Sequence, residues 1–226
     1  MENNIFGYRD YIKMFKKYGL KLPIYYFFEN HFFDIINNVD THKRVLKSQY
    51  QSSPNNFDDG VFYMASFNSV IKTTISKIHS LEKDNFAEFN LIDVGSGKGK
   101  VLFIWRKYLK KQKLKNKITG IEYDQNLGLI AKNNLQNDPD IEILIKDIEN
   151  TPDYIFENDA IYYLYNPFGK RVLRRFIDKI EGNNYVIYNN PVHLSFFLNN
   201  NFEVISENIG FHPNLDWVIL KKKYQI

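Results

Sequence analysis

The chain has 226 residues, 44% hydrophobic and 25% charged, enough apolar mass for one sizeable α/β domain with an appendage. Thirty basic and 26 acidic residues leave a net charge of +4, too small an excess to argue for a nucleic-acid partner. With no cysteine, disulfides, thiolate zinc sites and a cysteine nucleophile are excluded. Met1 to Tyr11 is polar and lacks the apolar core of a signal peptide. No apolar run approaches the roughly 20 residues that span a bilayer, so a soluble, cytoplasmic protein is expected.

Residues 1 to about 48 read as helical and unusually aromatic. Ile24 to Ile36 is apolar on more than one face, and Pro23 suits the first turn of its helix. Such a segment has to bury itself against the main domain or a partner subunit. Glu29 and Asp34 on its polar face, in place of lysines, argue against a membrane-surface role. His31 and His42 stand isolated and read as packing or surface histidines, and no metal site is expected. Gln49 to Gly60 is a loop by composition. Phe67, Val70, Ile71, Thr74, Ile75 and Ile78 then recur at helical spacing. Just ahead of them, Tyr63 and Ser66 either line a pocket or, for Ser66, cap the helix. Lysines gather at Lys107, Lys110, Lys111, Lys113, Lys115 and Lys117, and again at Lys221 to Lys223, as solvated helix ends and tails do.

From residue 89 strands and helices alternate. Strands are expected at 89–94, 118–123, 141–145, 160–165 and 185–188, with helices at 98–110, 125–134, 170–180 and 192–198. This alternation implies a mostly parallel sheet covered on both faces. The last two strand-like runs, Phe202 to Ile209 and Leu215 to Lys221, are joined by five residues, which permits a hairpin but no parallel crossover. The fold expected is α/β, Rossmann-like, with a seven-stranded sheet whose last strand is antiparallel. Residues 1–66 would be a helical N-terminal extension or cap, and 67–226 the ligand-binding domain.

The organising stretch is Asp93-Val94-Gly95-Ser96-Gly97-Lys98-Gly99, a strand end, a tight glycine turn and a helix start. A dinucleotide site wants its third glycine one residue later. A P-loop wants glycine at Val94 and a hydroxyl residue at Val101, so that reading fails twice. Polar residues also end the neighbouring strands: Glu122 with Tyr123 after the second, Asp147 with Ile148 after the third, and Asn166 after the fourth. In an open α/β sheet these ends face the ligand crevice. Glu122 can accept both hydroxyls of a ribose, and Asp147 an adenine amine with Ile148 against the ring.

These residues resemble motifs I to III of the class I S-adenosylmethionine (SAM) dependent methyltransferases across about residues 89–222. Asn166-Pro167-Phe168-Gly169 is similar to the family's motif IV, although Phe168 replaces the second proline of the amino-group signature. The chain also resembles uncharacterised bacterial methyltransferases with a Tyr-Asn-Pro-Phe-Gly segment and, distantly, Dot1-type lysine methyltransferases. The resemblance implies SAM as cofactor, bound by Asp93, Gly95, Ser96, Gly97, Gly99, Glu122, Tyr123, Asp147, Ile148 and Asn166. It implies methyl transfer at Asn166, Pro167 and Phe168, to an amino group of a protein or small molecule. Tyr63 and Ser66 would meet the acceptor. His193 is a further candidate, as general base toward a hydroxyl acceptor. The alternatives are a SAM- or dinucleotide-binding module without methyl transfer, and an O-methyltransferase. The acceptor's identity and the oligomeric state are not written in the sequence.

Overall fold

The apolar run ahead of the glycine turn becomes β1 (Asn90–Val94), an inner strand of a seven-stranded sheet. The structure is a computed structural model and describes residues 8–50, 58, 60 and 62–223. The other strands are β2 (Ile118–Glu122), β3 (Ile141–Ile145), β4 (Ala160–Tyr165), β5 (Tyr185–Asn189), β6 (Phe202–Asn208) and β7 (Trp217–Lys222). Their spatial order is β3-β2-β1-β4-β5-β7-β6. The first five pair in parallel, and β7 runs antiparallel to both β5 and β6. This is the expected sheet. The chain travels outward from β1 through β2 to β3, then crosses to β4 on the other side, so strand order reverses between β1 and β4. A crevice opens beyond the carboxyl ends of the strands at such a point.

Side chains alternate across the central strands, as the two-residue period of a strand requires. Leu91, Ile161, Tyr163, Tyr185 and Ile187 enter one core, and Ile92, Val94, Tyr162, Leu164, Val186 and Tyr188 the other. Helices α4 (Asn68–Glu82) and α5 (Lys100–Gln112) close the first core with Ile71, Ile75, Leu102 and Trp105. Val172, Leu173 and Phe176 of one later helix (Lys170–Lys179) and Phe197 of another (Leu194–Leu198) close the second. A sheet buried on both faces accounts for the strands' continuous apolar runs. Among the described residues no helix is long and apolar enough to cross a membrane.

The N-terminal extension is helical over a shorter stretch than expected. Helices α1 (Tyr8–Tyr18) and α2 (Lys21–Tyr26) lead through a π-helical turn, Phe27–Phe32, into α3 (Phe33–Asn37). Asn38 then takes the left-handed conformation (φ 52°) and ends the helix, so residues 38–46 form a strap instead of a last helical turn. Leu22, Tyr26 and Phe33 share the core of α4 and α5, so the extension is packed on the sheet domain.

Three local expectations are corrected. Glu29 and Asp34 do not form a solvent face. The Glu29 carboxylate accepts from Ser69 N (2.8 Å) at the start of α4, and Asp34 is buried. Ser66 is not the cap of α4: Phe67 holds that position without a side-chain bond, and Glu29 serves the free amide from 40 residues away. His31 and His42 are not isolated either. Their rings lie 4.0 Å apart, and burial beside His42 lowers the His31 pKa to about 4. Asp34, Asp40 and His42 converge closely enough to hold a metal ion. The Asp34 carboxylate, though, is already occupied by Thr41 N (2.6 Å), Thr41 Oγ1 (2.5 Å), His42 N (2.8 Å) and His42 Nδ1 (2.7 Å). Asp40 pairs with Lys98, and the cluster reads as a clasp on the strap.

Burial works to raise the Asp34 pKa, but its donors from His42 and Thr41 prevail and hold it below the usual value. A depressed folded-state pKa gives stability that is present above the unfolded value and lost as pH falls below about 4. Asp34→Ala should lower stability at pH 7 by about 3 kcal/mol, because buried donors lose their acceptor. In urea melts the parent should lose that difference on acidification, and an Asp34→Ala midpoint equal to the parent's at pH 7 would refute the clasp.

Candidate functional site

Three compartments meet at Gly95, just beyond the ends of β1, β2 and β4. The glycine turn makes this possible. Gly95 (φ 75°) carries its backbone so close to Pro167 that a Cβ would lie 2.6 Å from the proline ring. Gly97 (φ 52°) passes against Tyr63 so closely that a Cβ would enter the ring. The turn is therefore pressed between the residue after Asn166 and an aromatic from the segment before α4.

The largest compartment of the three, about 220 Å³, is lined by Gly95, Glu122, Tyr123, Tyr63, Asn166 and Pro167, with Tyr50, Phe62, Met64, Leu127, Tyr165 and Asn190. Glu122 ends β2 beneath the turn. Its Oε2 accepts from Gly97 N (2.7 Å) and its Oε1 from Asp124 N (2.9 Å). Burial raises its pKa to about 7 against those two bonds. Each carboxylate oxygen has a second lone pair, so both can also accept from a ligand.

The second compartment is a narrow apolar slot of about 40 Å³ between Ile148, Phe168, Val172 and Ile121, with Asp147 at its edge. Asp147 accepts from Glu149 N (2.9 Å) and so fixes the short turn that carries Ile148. Phe168 is buried here, with its ring 6.1 Å from Phe176, and its backbone bridges Gly60. It therefore stands on the slot of Asp147 and Ile148, separate from the compartment of Asn166.

The third compartment, about 30 Å³, gathers Asp93, Ser96, Ser66 and Lys100. Asp93 is 3% exposed, and its Oδ2 has no hydrogen-bond partner among the described residues. Burial first, then the Glu122 charge, pushes its pKa well up. Lys100 is equally buried, and burial lowers its pKa to about 7. Its Nζ donates to Glu29 O (2.7 Å) and Asn30 Oδ1 (2.6 Å), both in the π-helical turn. Lys98 Nζ reaches Asp40 at 3.3 Å. Both lysines of the turn thus tie it to the N-terminal extension.

Asn166 adopts φ 44°, a left-handed conformation that asparagine tolerates better than most residues. Its Oδ1 accepts from Tyr188 Oη (3.2 Å) and keeps a lone pair on the largest compartment. Gly99, also at positive φ, packs on Ala131 behind the turn and lines none of the three. His193 lies outside their lining too, in front of the helix Leu194–Leu198; burial and the Lys170 charge lower its pKa. The sequence reading missed Tyr50, Phe62, Tyr165, Asn190 and Lys100. Asn190 follows a strand end, so the rule that found Asn166 reaches it. Tyr50 follows the short turn Lys47–Gln49 after the strap, in a stretch without periodicity, and has no such signal.

No protein-family model matches the chain, and no curated protein matches it by sequence. Solved structures share its fold. A candidate class I SAM-dependent methyltransferase from Listeria monocytogenes is 12% identical, with a TM-score of 0.52 over 76% of this chain and 62% of that one. WbdD is 16% identical, with a TM-score of 0.50 over 69% of this chain and 40% of that one. The CMeT domain of the citrinin polyketide synthase is 11% identical, with a TM-score of 0.50 over 67% of this chain and 52% of that one. The chain spans less than two thirds of each. The sheet of the SAM-dependent methyltransferases is therefore the fold of this chain.

The contact between Tyr63 and Gly97 can be measured directly. Gly97→Ala should cost about 2–4 kcal/mol, from left-handed strain together with overpacking on the ring. Adding Tyr63→Ala should remove the overpacking, leaving the double variant at least 1 kcal/mol better than the sum of the singles. Strict additivity in urea melts would separate Tyr63 from the turn.

Proposed function

We propose that the protein binds SAM across the three compartments and transfers its methyl group to an acceptor held at Asn166. The observation that carries this reading is the meeting of three chemically different compartments at Gly95. The apolar slot suits an adenine, with Asp147 as acceptor for its amine and Ile148 and Phe168 against its faces. Glu122 suits the ribose hydroxyls. The small compartment suits the amino-acid end: Asp93 faces an ammonium group, and Lys100 retains a third N–H for a carboxylate. A dinucleotide fits less well, because its pyrophosphate would lie beside two buried carboxyl groups, Asp93 and Glu122.

SAM, when bound, supplies an electrophilic methyl group on a sulfonium. The work left to the protein is alignment. Asn166 Oδ1, fixed by the Tyr188 hydroxyl, and the acceptor-rich rim at Pro167 suit an amine, whose N–H bonds they accept while its lone pair faces the methyl. No catalytic acid or base is needed for a neutral amine, which favours nitrogen over oxygen as the nucleophile. The residues up to 66 act as a cap: Tyr63 covers the turn, and Phe62 and Met64 wall the largest compartment.

Calorimetry tests the binding step. Glu122→Ala should weaken SAM by roughly 1.5–3 kcal/mol through lost charge-assisted bonds. Because the free protein's Glu122 titrates near pH 7 and the carboxylate is the better acceptor, affinity should fall as pH drops from 7 to 5, by at most about tenfold per unit. A flat profile would remove Glu122 from the ribose, and tight NADH binding in place of SAM would sink the whole proposal.

Transfer is tested at Asn166. Asn166→Ala should reduce turnover on the order of 100-fold, the scale of lost positioning, while SAM affinity holds. Asn166→Asp keeps both acceptors and should retain activity on an amine. Activity in both variants would move the chemistry elsewhere.

A further inference from the structure

A fourth cavity lies behind the largest compartment, between α1, the strap and the loop ahead of β7. Its volume is about 290 Å³, and Met64 is a wall of both. A second link is Arg44, whose guanidinium stands 4.0 Å over the ring of Phe62, itself on the largest compartment. The cavity is aromatic at its base, with Tyr26 and Tyr18, and cationic around its rim, with Lys13, Lys17 and Arg44. Among the described residues its one acid, Asp10, lies 4.0 Å from Lys13, and neither Lys17 nor Arg44 forms an ion pair. His212 adds a ring nitrogen, and its pKa is lowered by burial and by the Lys17 charge. The largest compartment, by contrast, carries a single charged group, Glu122.

A cavity that concentrates unneutralised cations beside a compartment holding only a carboxylate selects for a ligand with one anionic end. We propose that the cavity is a subsite for an oxyanion, a phosphate or carboxylate group borne by the methyl acceptor. The acceptor is then an acidic small molecule, its amine at Asn166 and its anion between Lys17 and Arg44 past Met64. This rests on the methyl-transfer reading above for the amine end alone; the anion end stands on the cavity itself.

The test uses the full chain and a Lys17→Gln/Arg44→Gln double variant, both exposed positions whose loss leaves the core untouched. Inorganic phosphate is titrated by ³¹P line broadening and acetate by ¹H, which separates the two oxyanion sources. The parent should bind at least one, and the double variant about tenfold more weakly or less, as loss of charge-assisted bonds requires. A parent that binds neither, or a variant that binds both equally, overturns the subsite. In a cell extract with methyl-labelled SAM, the small labelled product should be retained on an anion exchanger. The double variant should label it about tenfold less with a smaller change in SAM affinity, since of the lost contacts only Arg44 over Phe62 reaches the compartment of Glu122. A labelled product that is not retained, or equal labelling by both proteins, overturns the proposal as well. Failure of the parent to label anything would sink methyl transfer, while the phosphate titration would still decide the subsite.

Discussion

Glu122 is the carboxylate on which the crevice is built. It lies 4% exposed at the end of β2 and bonds at once to Gly97 of the glycine turn and Asp124 at the start of the next helix (Gln125–Asn134). Those two amides would otherwise be buried donors without acceptors, which costs about 1–3 kcal/mol each. The group thus sets the height of the turn above the sheet. With the turn at that height, Gly95 meets Pro167, and the ends of β1, β2 and β4 share one opening. The same burial that makes Glu122 a good strut raises its pKa to about 7.

The N-terminal extension completes the opening from the other side. The wide turn at Phe27–Phe32 holds Glu29 and the buried Asn30, and Lys100 closes on the carbonyl of one and the side chain of the other. Lys98 takes Asp40, and Tyr63 covers Gly97 while its hydroxyl donates to Thr41 O (2.6 Å). Apart from the Tyr63–Thr41 bond, these contacts join residues before 67 to residues 97–100. The turn is consequently held at its back by the extension and at its front by Glu122. Any segment that displaced the strap would disturb the turn through Asp40 and Thr41 together.

The sheet was readable because its signals are local. The continuous apolar runs of β4 and β5, the short join before β7 and the glycine turn each depend on neighbours in sequence. The strand-end polar residues were readable for the same reason, since strand ends define the crevice. The extension was harder. Glu29 and Asp34 look like solvent-facing acids on a helical wheel, and only the strap and the start of α4 reveal what they bind. Ser66 has the chemistry of a cap, yet the amide it would serve is taken by Glu29. His31 and His42, eleven residues apart, meet because Asn38 turns the chain back, and a left-handed asparagine leaves little trace in composition. Lysines 98 and 100 could not be told from a solvated helix start, because their partners lie about 60 to 70 residues away.

Charge decides what such an opening is built to receive. Asp93 and Glu122 are both buried and both shifted toward the neutral acid, and the Glu122 charge makes ionisation of Asp93 harder. Lys100 in the same small compartment is shifted the opposite way, toward the neutral amine. A buried acid and a buried base that both tend to neutrality mark a space where charge is uncompensated until a ligand supplies it. An ammonium group would restore the Asp93 carboxylate, and a carboxylate would restore the Lys100 ammonium. A zwitterion does both without changing the net charge of the site, whereas a pyrophosphate would add repulsion to two groups that already resist ionising. The asymmetry favours an amino-acid end over a phosphate end at the glycine turn. The cavity on the far side of Met64 has a different balance, with Lys13, Lys17 and Arg44 against Asp10.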